Sequence, residues 1–159
     1  MFYQKRLANT LRQIAKKGTN DYYRGELAEL IAKELKQLGS PLRLDDLQRH
    51  QAKLINPLHL AHSLADVYNM TPPTQGVVSL MILGILDQLK LKQFAVDSSE
   101  YVHHCVEATK QAFKIRDQHI TDPAYMQKHA QEFLSPGFLK TLANQVDRQR
   151  ALPWGAGRG

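Results

Sequence analysis

Cysteine, tryptophan and long apolar stretches are scarce in this sequence of 159 residues. The single cysteine, Cys105, excludes an internal disulfide. The longest apolar run, Val77–Leu86, is interrupted by a serine and a glycine and is too short to span a bilayer. The charges near the amino terminus are followed by no apolar stretch, which argues against a signal peptide. Whether the compartment is cytoplasmic or periplasmic stays open.

The sequence also lacks the short motifs of several enzyme classes. It contains no Walker loop, no dinucleotide-binding glycine pattern, no G-x-S-x-G nucleophile elbow and no zinc-binding H-E-x-x-H. We therefore assign no catalytic, cofactor-binding or metal-binding residue to this chain, and we expect no cofactor.

Histidine is plentiful, with seven residues, but the spacing of the histidines argues against a metal site. His59 and His62 lie on a predicted strand, where a separation of three residues places them on opposite faces. His103 and His104 are adjacent on a predicted helix and point about 100° apart. Zinc ligands need a spacing that lets them converge, and neither pair has it.

Two further candidates lie on the same predicted helix. Cys105 would act as a nucleophile only with a histidine base and an orienting group beside it. Its neighbours are apolar, which favours a buried, inert thiol. The adjacent Arg116 and Asp117 are interpreted as a structural ion pair, either buried or on the surface.

The charge balance is basic, with a net charge of +6 and a pI near 9.5. The basic residues are dispersed along amphipathic segments, and no aromatic and basic motif for stacking bases accompanies them. Dispersed charge of this kind favours solubility over nucleic-acid binding. Neither nucleic acid nor a membrane is a predicted partner.

Most of the chain follows a helical pattern of apolar residues. We predict helices over 5–17, over about 21–38 with Asn20 or Asp21 as N-cap, and over about 45–50. Gly18 and Gly39 are predicted to end the first two. After a loop near 90–96, a long helix begins at Ser98 or Ser99 and runs to about 119, and a last helix follows Ser135 and Pro136.

The middle of the chain departs from this pattern. Alternating residues over 55–70 predict two short strands with a turn near 63–66. The helix predicted over 77–89 is apolar on most faces and must be buried. In so small a chain, burying it is expected to need a partner layer. We therefore predict that this helix is exposed here and drives self-association.

The last residues, 152–159, are rich in glycine and alanine and bury little apolar surface. We interpret residues 151–159 as a linker that leads into a missing segment. Residues 1–150 are then the preceding domain portion.

Several segments, in one order, resemble the C-terminal part of the large subunit of the γ-glutamyltransferase (γ-glutamyltranspeptidase, glutathione hydrolase) family. The matching segments are Phe2–Ala15, Asp21–Ala28, Leu44–Leu47, Pro57–Leu58, Pro72–Gly76, Ile85–Asp87, His103–Asp117, Thr121–Pro123 and Leu134–Pro136. The turn 74–77 reads Thr-Gln-Gly-Val where many members have Ser-Ser-Gly-Gly. This version is similar to a bacterial subgroup of the family, and related acylases of glutaryl-cephalosporins share the architecture.

The resemblance implies an α+β, mostly helical fragment with a small β-hairpin, taken from the α/β/β/α fold of an N-terminal-nucleophile (Ntn) hydrolase. Such a protein is a precursor that cleaves itself and frees a threonine, which transfers or hydrolyses a γ-glutamyl or similar acyl group. The cut in the family follows shortly after a segment like Leu152–Gly155. The nucleophile and the arginine that binds the substrate carboxylate map onto no residue here. The seven threonines lie outside the expected context, so the chain alone is expected to be inactive.

The partners implied are the preceding part of the large subunit and the small catalytic subunit, and a γ-glutamyl substrate only in the intact enzyme. The alternative interpretation is a small non-enzymatic helical module that binds a partner through its apolar helix.

Overall fold

The structure is a computed structural model that describes residues 2–154. Residues 155–159 of the linker predicted over 151–159 lie outside this range. The described chain forms two compact units, one ending at Leu54 and the other beginning at Ile55. Each unit has its own arrangement of elements.

The first unit contains four helices. They are α1 (Lys5–Lys17), α2 (Thr19–Arg24), α3 (Glu26–Gln37) and α4 (Leu44–Arg49). Two glycines with positive φ end helices as predicted: Gly18 at +84° and Gly39 at +78°. The helices over 5–17 and 45–50 are confirmed, apart from small shifts at the ends of α4.

The N-cap predicted at Asn20 or Asp21 is wrong, because both residues lie inside α2. The predicted second helix is in fact two helices, separated at Gly25. Gly25 approaches Asp21 so closely that an added Cβ would lie 2.9 Å from the Asp21 Cα. Asp21 is buried and accepts a hydrogen bond from the Gln13 side chain at 2.8 Å. The polar residue that would cap a helix therefore joins α2 to α1 instead.

The second unit begins with the predicted β-hairpin. Strands β1 (Leu58–His62) and β2 (Ala65–Asn69) pair antiparallel, with Leu58 opposite Asn69 and His62 opposite Ala65. Leu58 and Leu60 are buried. On the outer edge of β1, the Gln131 side chain both donates to and accepts from the backbone of His59, at 2.7 and 3.0 Å.

Three longer helices complete this unit: α5 (Gly76–Gln88), α6 (Ser99–His119) and α7 (Pro136–Asn144). All three were predicted. Ser98 caps α6 by accepting from the Tyr101 N–H at 3.1 Å. Short 3-10 helices at Leu91–Gln93, Pro123–Tyr125 and Ala130–Leu134 were not predicted. Within the described residues, no helix combines the length and the apolar character that crossing a membrane requires.

Helix α5 is the centre of the core, and the prediction that it is exposed is wrong. It contacts α6, α7, both strands and the 3-10 helix Ala130–Leu134. Val77, Met81 and Ile85 are fully buried. Of the large apolar side chains on α5, only Leu83 is more than a third exposed, at 39%. Elements from both sides of α5 in the sequence, α6 and α7 among them, supply the cover that was expected from a partner. At Gly84, α7 comes close enough that an added Cβ would lie 2.6 Å from a Leu139 methyl carbon.

Candidate functional site

Helix α6 carries an unusual set of buried polar side chains. His104, Glu107, Lys110 and Gln111 are each at most 7% exposed. Spacings of three and four residues place them along one side of the helix. Burying a charged group is costly unless it is paired and hydrogen-bonded. Within the described residues, the Gln111 amide and the His104 Nε2 have no hydrogen-bond partner, whereas the charged Glu107 and Lys110 are both paired.

Two of them hold the chain that follows α7. The Lys110 Nζ lies 2.5 Å from the Glu107 Oε1, and both side chains are almost fully buried. The same Nζ donates to the backbone carbonyl of Leu152 at 2.5 Å. The Leu152 N–H donates to the other carboxylate oxygen of Glu107 at 3.4 Å. We call Glu107 and Lys110 the α6 clamp, because together they bind both backbone polar groups of one residue.

A second attachment lies five residues earlier. The His103 Nε2 donates to the Asp147 carbonyl at 2.7 Å. The Asp147 carboxylate accepts from the backbone N–H groups of Gln149 and Arg150, at 2.8 and 3.0 Å. These two hydrogen bonds lower the pKa of Asp147, assisted by the nearby charges of Arg150 and His103. The carboxylate thus stays ionised and organises the turn that precedes Leu152.

A third attachment is aromatic. The Trp154 ring meets the Phe113 ring edge-on, with centroids 6.0 Å apart. The Arg116 guanidinium lies over the same Phe113 ring at 3.8 Å, and its Nε donates to Asp117 at 2.7 Å. The predicted Arg116–Asp117 pair therefore forms, and it is on the surface. We call residues 147–154 the α6-bound segment, since His103, the clamp and Phe113 attach it at three points.

The remaining side chains on α6 do not assemble a nucleophilic centre. Burial raises the pKa of the Cys105 thiol, and a hydrogen bond with Tyr101 only partly offsets this. The protonated thiol is a poor nucleophile. Cys105 is only half-buried, so the prediction of a buried thiol was too strong. His104 donates its Nδ1–H to the Glu100 carbonyl at 2.7 Å, and its ring stacks on Phe94.

The two histidines of the hairpin, His59 and His62, were predicted to lie on opposite faces, and in the structure they contact different carboxylates. The His59 Nε2 lies 2.6 Å from an Asp66 oxygen, and its ring stacks on Tyr68. The His62 Nε2 instead lies 3.8 Å from Asp87. Among residues 2–154, no cluster of three or more histidine, cysteine, aspartate or glutamate side chains is arranged to hold a metal ion.

A cleft of about 660 Å³ opens beside the hairpin turn, lined by residues of the turn, the end of α5 and the following loop. Asp87 accepts from the Ser63 hydroxyl at 2.5 Å and from the Ser63 N–H at 3.0 Å. Burial raises the pKa of Asp87, but these hydrogen bonds, with the charges of His62 and Lys92, outweigh burial and leave the pKa lowered. The Ser63 hydroxyl donates to a carboxylate rather than to a histidine, so this group is a structural tie between the hairpin and α5.

Sequence reasoning singled out no role for Glu107 and Lys110, which are the most informative side chains of the site. A signal was present: the two charges are three residues apart on the side of α6 that also carries Ala108 and Ala112, both fully buried. Charged residues within a core-facing stripe are seldom buried unless they are paired. The partner residue, Leu152, lies 42 residues from Lys110, so no local sequence pattern indicates this contact.

The chain as a whole is similar to known proteins of one family. A family profile described as Gamma-glutamyltranspeptidase matches residues 1–157. The chain is 48% identical to the oxamate amidohydrolase proenzyme of Klebsiella pneumoniae, over 99% of the chain and 30% of that protein. It is 35% identical to a glutathione hydrolase-like proenzyme of Bacillus subtilis, over 91% of the chain and 28% of that protein. The chain thus spans less than a third of the length of these relatives.

Solved structures share the fold. The structure of a gamma-glutamyltranspeptidase from Pseudomonas nitroreducens, complexed with L-DON, superposes with a TM-score of 0.83 at 29% identity. The match covers 99% of the present chain and 48% of that chain. The expected fold, a mostly helical portion of an Ntn hydrolase with a small hairpin, is therefore confirmed.

Proposed function

The chain belongs to the gamma-glutamyltranspeptidase family, and from this we propose that it is the C-terminal part of the large-subunit region of a self-cleaving Ntn hydrolase precursor. The observation that carries the proposal is the family match over nearly the whole chain. The α6-bound segment supports it, because residues 147–154, which include the first residues of the expected run-up to a cleavage site, are held in place at three points. The division into residues 1–150 and a linker over 151–159 is part of the same proposal.

The proposed chemistry is acyl transfer from an amide. Cleavage of the precursor frees an N-terminal threonine, whose hydroxyl attacks the substrate carbonyl while its own α-amine accepts the proton. Backbone N–H groups stabilise the oxyanion, and the protonated α-amine gives its proton to the leaving amine as the C–N bond breaks, which leaves the acyl group as an ester of the threonine. Water or an acceptor amine then takes the acyl group and regenerates the hydroxyl. Neither the nucleophile nor the carboxylate-binding arginine is a residue of this chain. Its contribution is to build one layer of the core and to position the chain that leads to the threonine.

The acyl donor proposed first is a γ-glutamyl amide such as glutathione. A second candidate is a small amide of the oxamate type, since identity to the oxamate amidohydrolase proenzyme is 48%, against 35% for the glutathione hydrolase-like relative. The turn Thr74–Val77, which departs from the Ser-Ser-Gly-Gly of many family members, also favours a difference in substrate.

The proposed partners are the preceding part of the large subunit and the small catalytic subunit of the same precursor. The curated relatives are proenzymes, which agrees with such a partner. Self-association through α5 depended on the exposure of that helix, and α5 is covered within the second unit. It is therefore not part of the proposed function.

The test is to express the complete reading frame that contains this chain and to follow its cleavage by gel and mass spectrometry. We expect two fragments, the second beginning with threonine, and turnover of γ-glutamyl-p-nitroanilide or oxamate only after cleavage. A precursor that stays whole and binds another protein through its helices would favour the interaction module instead. Replacing the freed threonine with alanine is the matched control and should abolish both cleavage and turnover.

The 159-residue chain by itself is a second test of the same proposal. It should turn over neither substrate at any concentration, because the nucleophile is elsewhere. Turnover by this chain alone would contradict the assignment of the reaction to a separate threonine.

A further inference from the structure

We propose that Glu107 and Lys110 are positioning residues for self-cleavage, because the α6 clamp fixes the course of the segment that leads to the cleavage site. This inference rests on the proposed function. It assigns a role in precursor processing, rather than in substrate turnover, to two side chains within this chain.

The first argument is the geometry of the clamp. Lys110 donates to the Leu152 carbonyl and Glu107 accepts from the Leu152 N–H, so both backbone groups are bound, as they would be by a neighbouring strand. The 2.5 Å contact between Nζ and Oε1 fixes the spacing of the two side chains. Leu152 precedes Pro153, and a residue before proline is restricted to extended conformations. Holding Leu152 therefore also directs the backbone that enters Trp154.

The second argument is the chemistry of a buried ion pair. Desolvation of two charges cancels much of their attraction, and apolar residues of similar volume often stabilise a fold equally well. The pair is therefore poorly explained by stability alone. A function that apolar side chains lack is to bind a backbone N–H and a backbone carbonyl at the same residue, and the clamp does this.

The third argument is the pattern of attachments. The Asp147 carbonyl is bound by His103, Leu152 by the clamp, and Trp154 lies against Phe113. All three attachments come from α6, a single helix of 21 residues. Intramolecular reactions depend steeply on orientation, and a displacement of about 1 Å can slow them by about a hundredfold. A segment fixed at three points on one helix meets that requirement.

The decisive variant replaces the pair together, as Glu107→Leu with Lys110→Met. This double variant keeps the volume of the site and leaves no unpaired buried charge, so it is expected to fold. In the full-length precursor we expect self-cleavage to slow by about ten- to a hundredfold. The enzyme recovered after complete cleavage should retain the kcat and KM of the unaltered enzyme, since the proposed reaction uses neither side chain of the clamp. Lys114→Met, a half-buried lysine one turn further along α6, is the control and should cleave at the unaltered rate.

A second measurement uses the present chain. Trp154 is its only tryptophan and reports directly on the α6-bound segment. The double variant should lower the fluorescence anisotropy of Trp154 and speed hydrogen exchange at the Leu152 amide, with helical circular dichroism unchanged. Lys114→Met should change neither.

Two results would overturn the inference while leaving the proposed function intact. One is an unaltered cleavage rate, or unaltered Trp154 anisotropy, in the double variant. The other is a loss of kcat in the cleaved enzyme as large as the loss in cleavage rate, which would indicate a general structural role. If the unaltered precursor does not cleave itself, the proposed function fails, and this inference fails with it.

Discussion

The two units of the chain differ in how they use the same kind of amphipathic helix. In the second unit, apolar side chains from three helices, the hairpin and a 3-10 helix form one buried cluster around α5. In the first unit, far fewer side chains are buried than in this cluster: Asp21, Leu27, Ala28 and Ala32. Helix α1 has a strongly segregated apolar face, yet none of its residues is buried, and Leu7 and Leu11 are at least half exposed.

The two units show that forming an amphipathic helix and burying its apolar face have different requirements. Local spacing and end signals set the bounds of α1, which runs over the predicted residues. Burial needs a neighbouring element to cover the apolar face, and within the described chain only the second unit supplies enough of them. Most helical stability in proteins comes from such packing. The second unit should therefore behave as an independent fold, and the first should not.

The largest expected effect comes from separating the units at Leu54 and Ile55. A chain beginning at Ile55 should retain a cooperative thermal transition, because the residues of its buried apolar cluster all lie within it. A peptide of residues 1–54 should lose most of its helix and melt without a clear transition, since so small a buried set does not offset the entropy of ordering the chain. Circular dichroism and calorimetry on the two pieces test this. A cooperative transition in the 1–54 peptide would contradict it.

Removing one apolar side chain from each unit should give the next largest difference. Phe133 is 1% exposed in the core of the second unit, and Phe133→Ala should cost about 3–5 kcal/mol of unfolding free energy. Leu11 is 57% exposed on α1, and Leu11→Ala should change stability by at most about 0.5 kcal/mol. Urea unfolding of both variants measures the contrast, and equal losses would show that α1 is covered in solution.

Ion pairs should show the same contrast. Lys110→Met alone leaves Glu107 buried without its partner and should cost about 3–5 kcal/mol. The Lys17–Glu26 pair of the first unit is exposed, and Lys17→Met should leave the unfolding midpoint nearly unchanged. The double replacement of Glu107 and Lys110 should recover most of the loss. Thermal unfolding of the three variants tests this, and failure of the double replacement to recover stability would argue that the clamp is mainly structural.

Replacing one glycine in each unit should give smaller losses of stability, with a different cause in each unit. Gly84→Ala would place a methyl group against Leu139 and should cost about 1–3 kcal/mol through overpacking. Gly39 has open space around it but a φ of +78°, so Gly39→Ala should cost about 1 kcal/mol through backbone strain. Urea unfolding distinguishes them further, because Gly84→Ala combined with Leu139→Ala should cost less than the sum of the two single losses, whereas Gly39→Ala has no such partner.

The smallest expected effect depends on pH. The pKa of Asp87 is lowered in the folded protein, so its bond to Ser63 contributes stability above the unfolded pKa of about 4. That contribution is lost as the pH falls below about 4 and through the lower folded value. An NMR titration should show the Ser63 amide resonance following this step. Asp87→Asn should remove the step, and its persistence in that variant would assign it to another group.

Local sequence signals predicted the elements well but not what several polar residues do. Gly18, Gly39 and Ser98 end or begin helices where predicted, because each acts through bonds to residues within one turn. Asp21 was expected to cap a helix, since aspartate is favoured there, but its contact with Gln13 and the close approach of Gly25 place it inside α2. Gln131 was assigned no role, because its partner His59 is 72 residues away.

The sequence by itself determined the order and approximate position of the longer helices and of the hairpin, and its ordered motifs determined the family. Those features depend on interactions over a few residues, which a linear pattern records. Only the tertiary structure decided that α5 is covered within the second unit and that Lys110 and Glu107 bind Leu152. Both outcomes depend on residues far apart in the chain, and the free energy of burying an apolar face or a charge is set by the neighbours that folding brings to it.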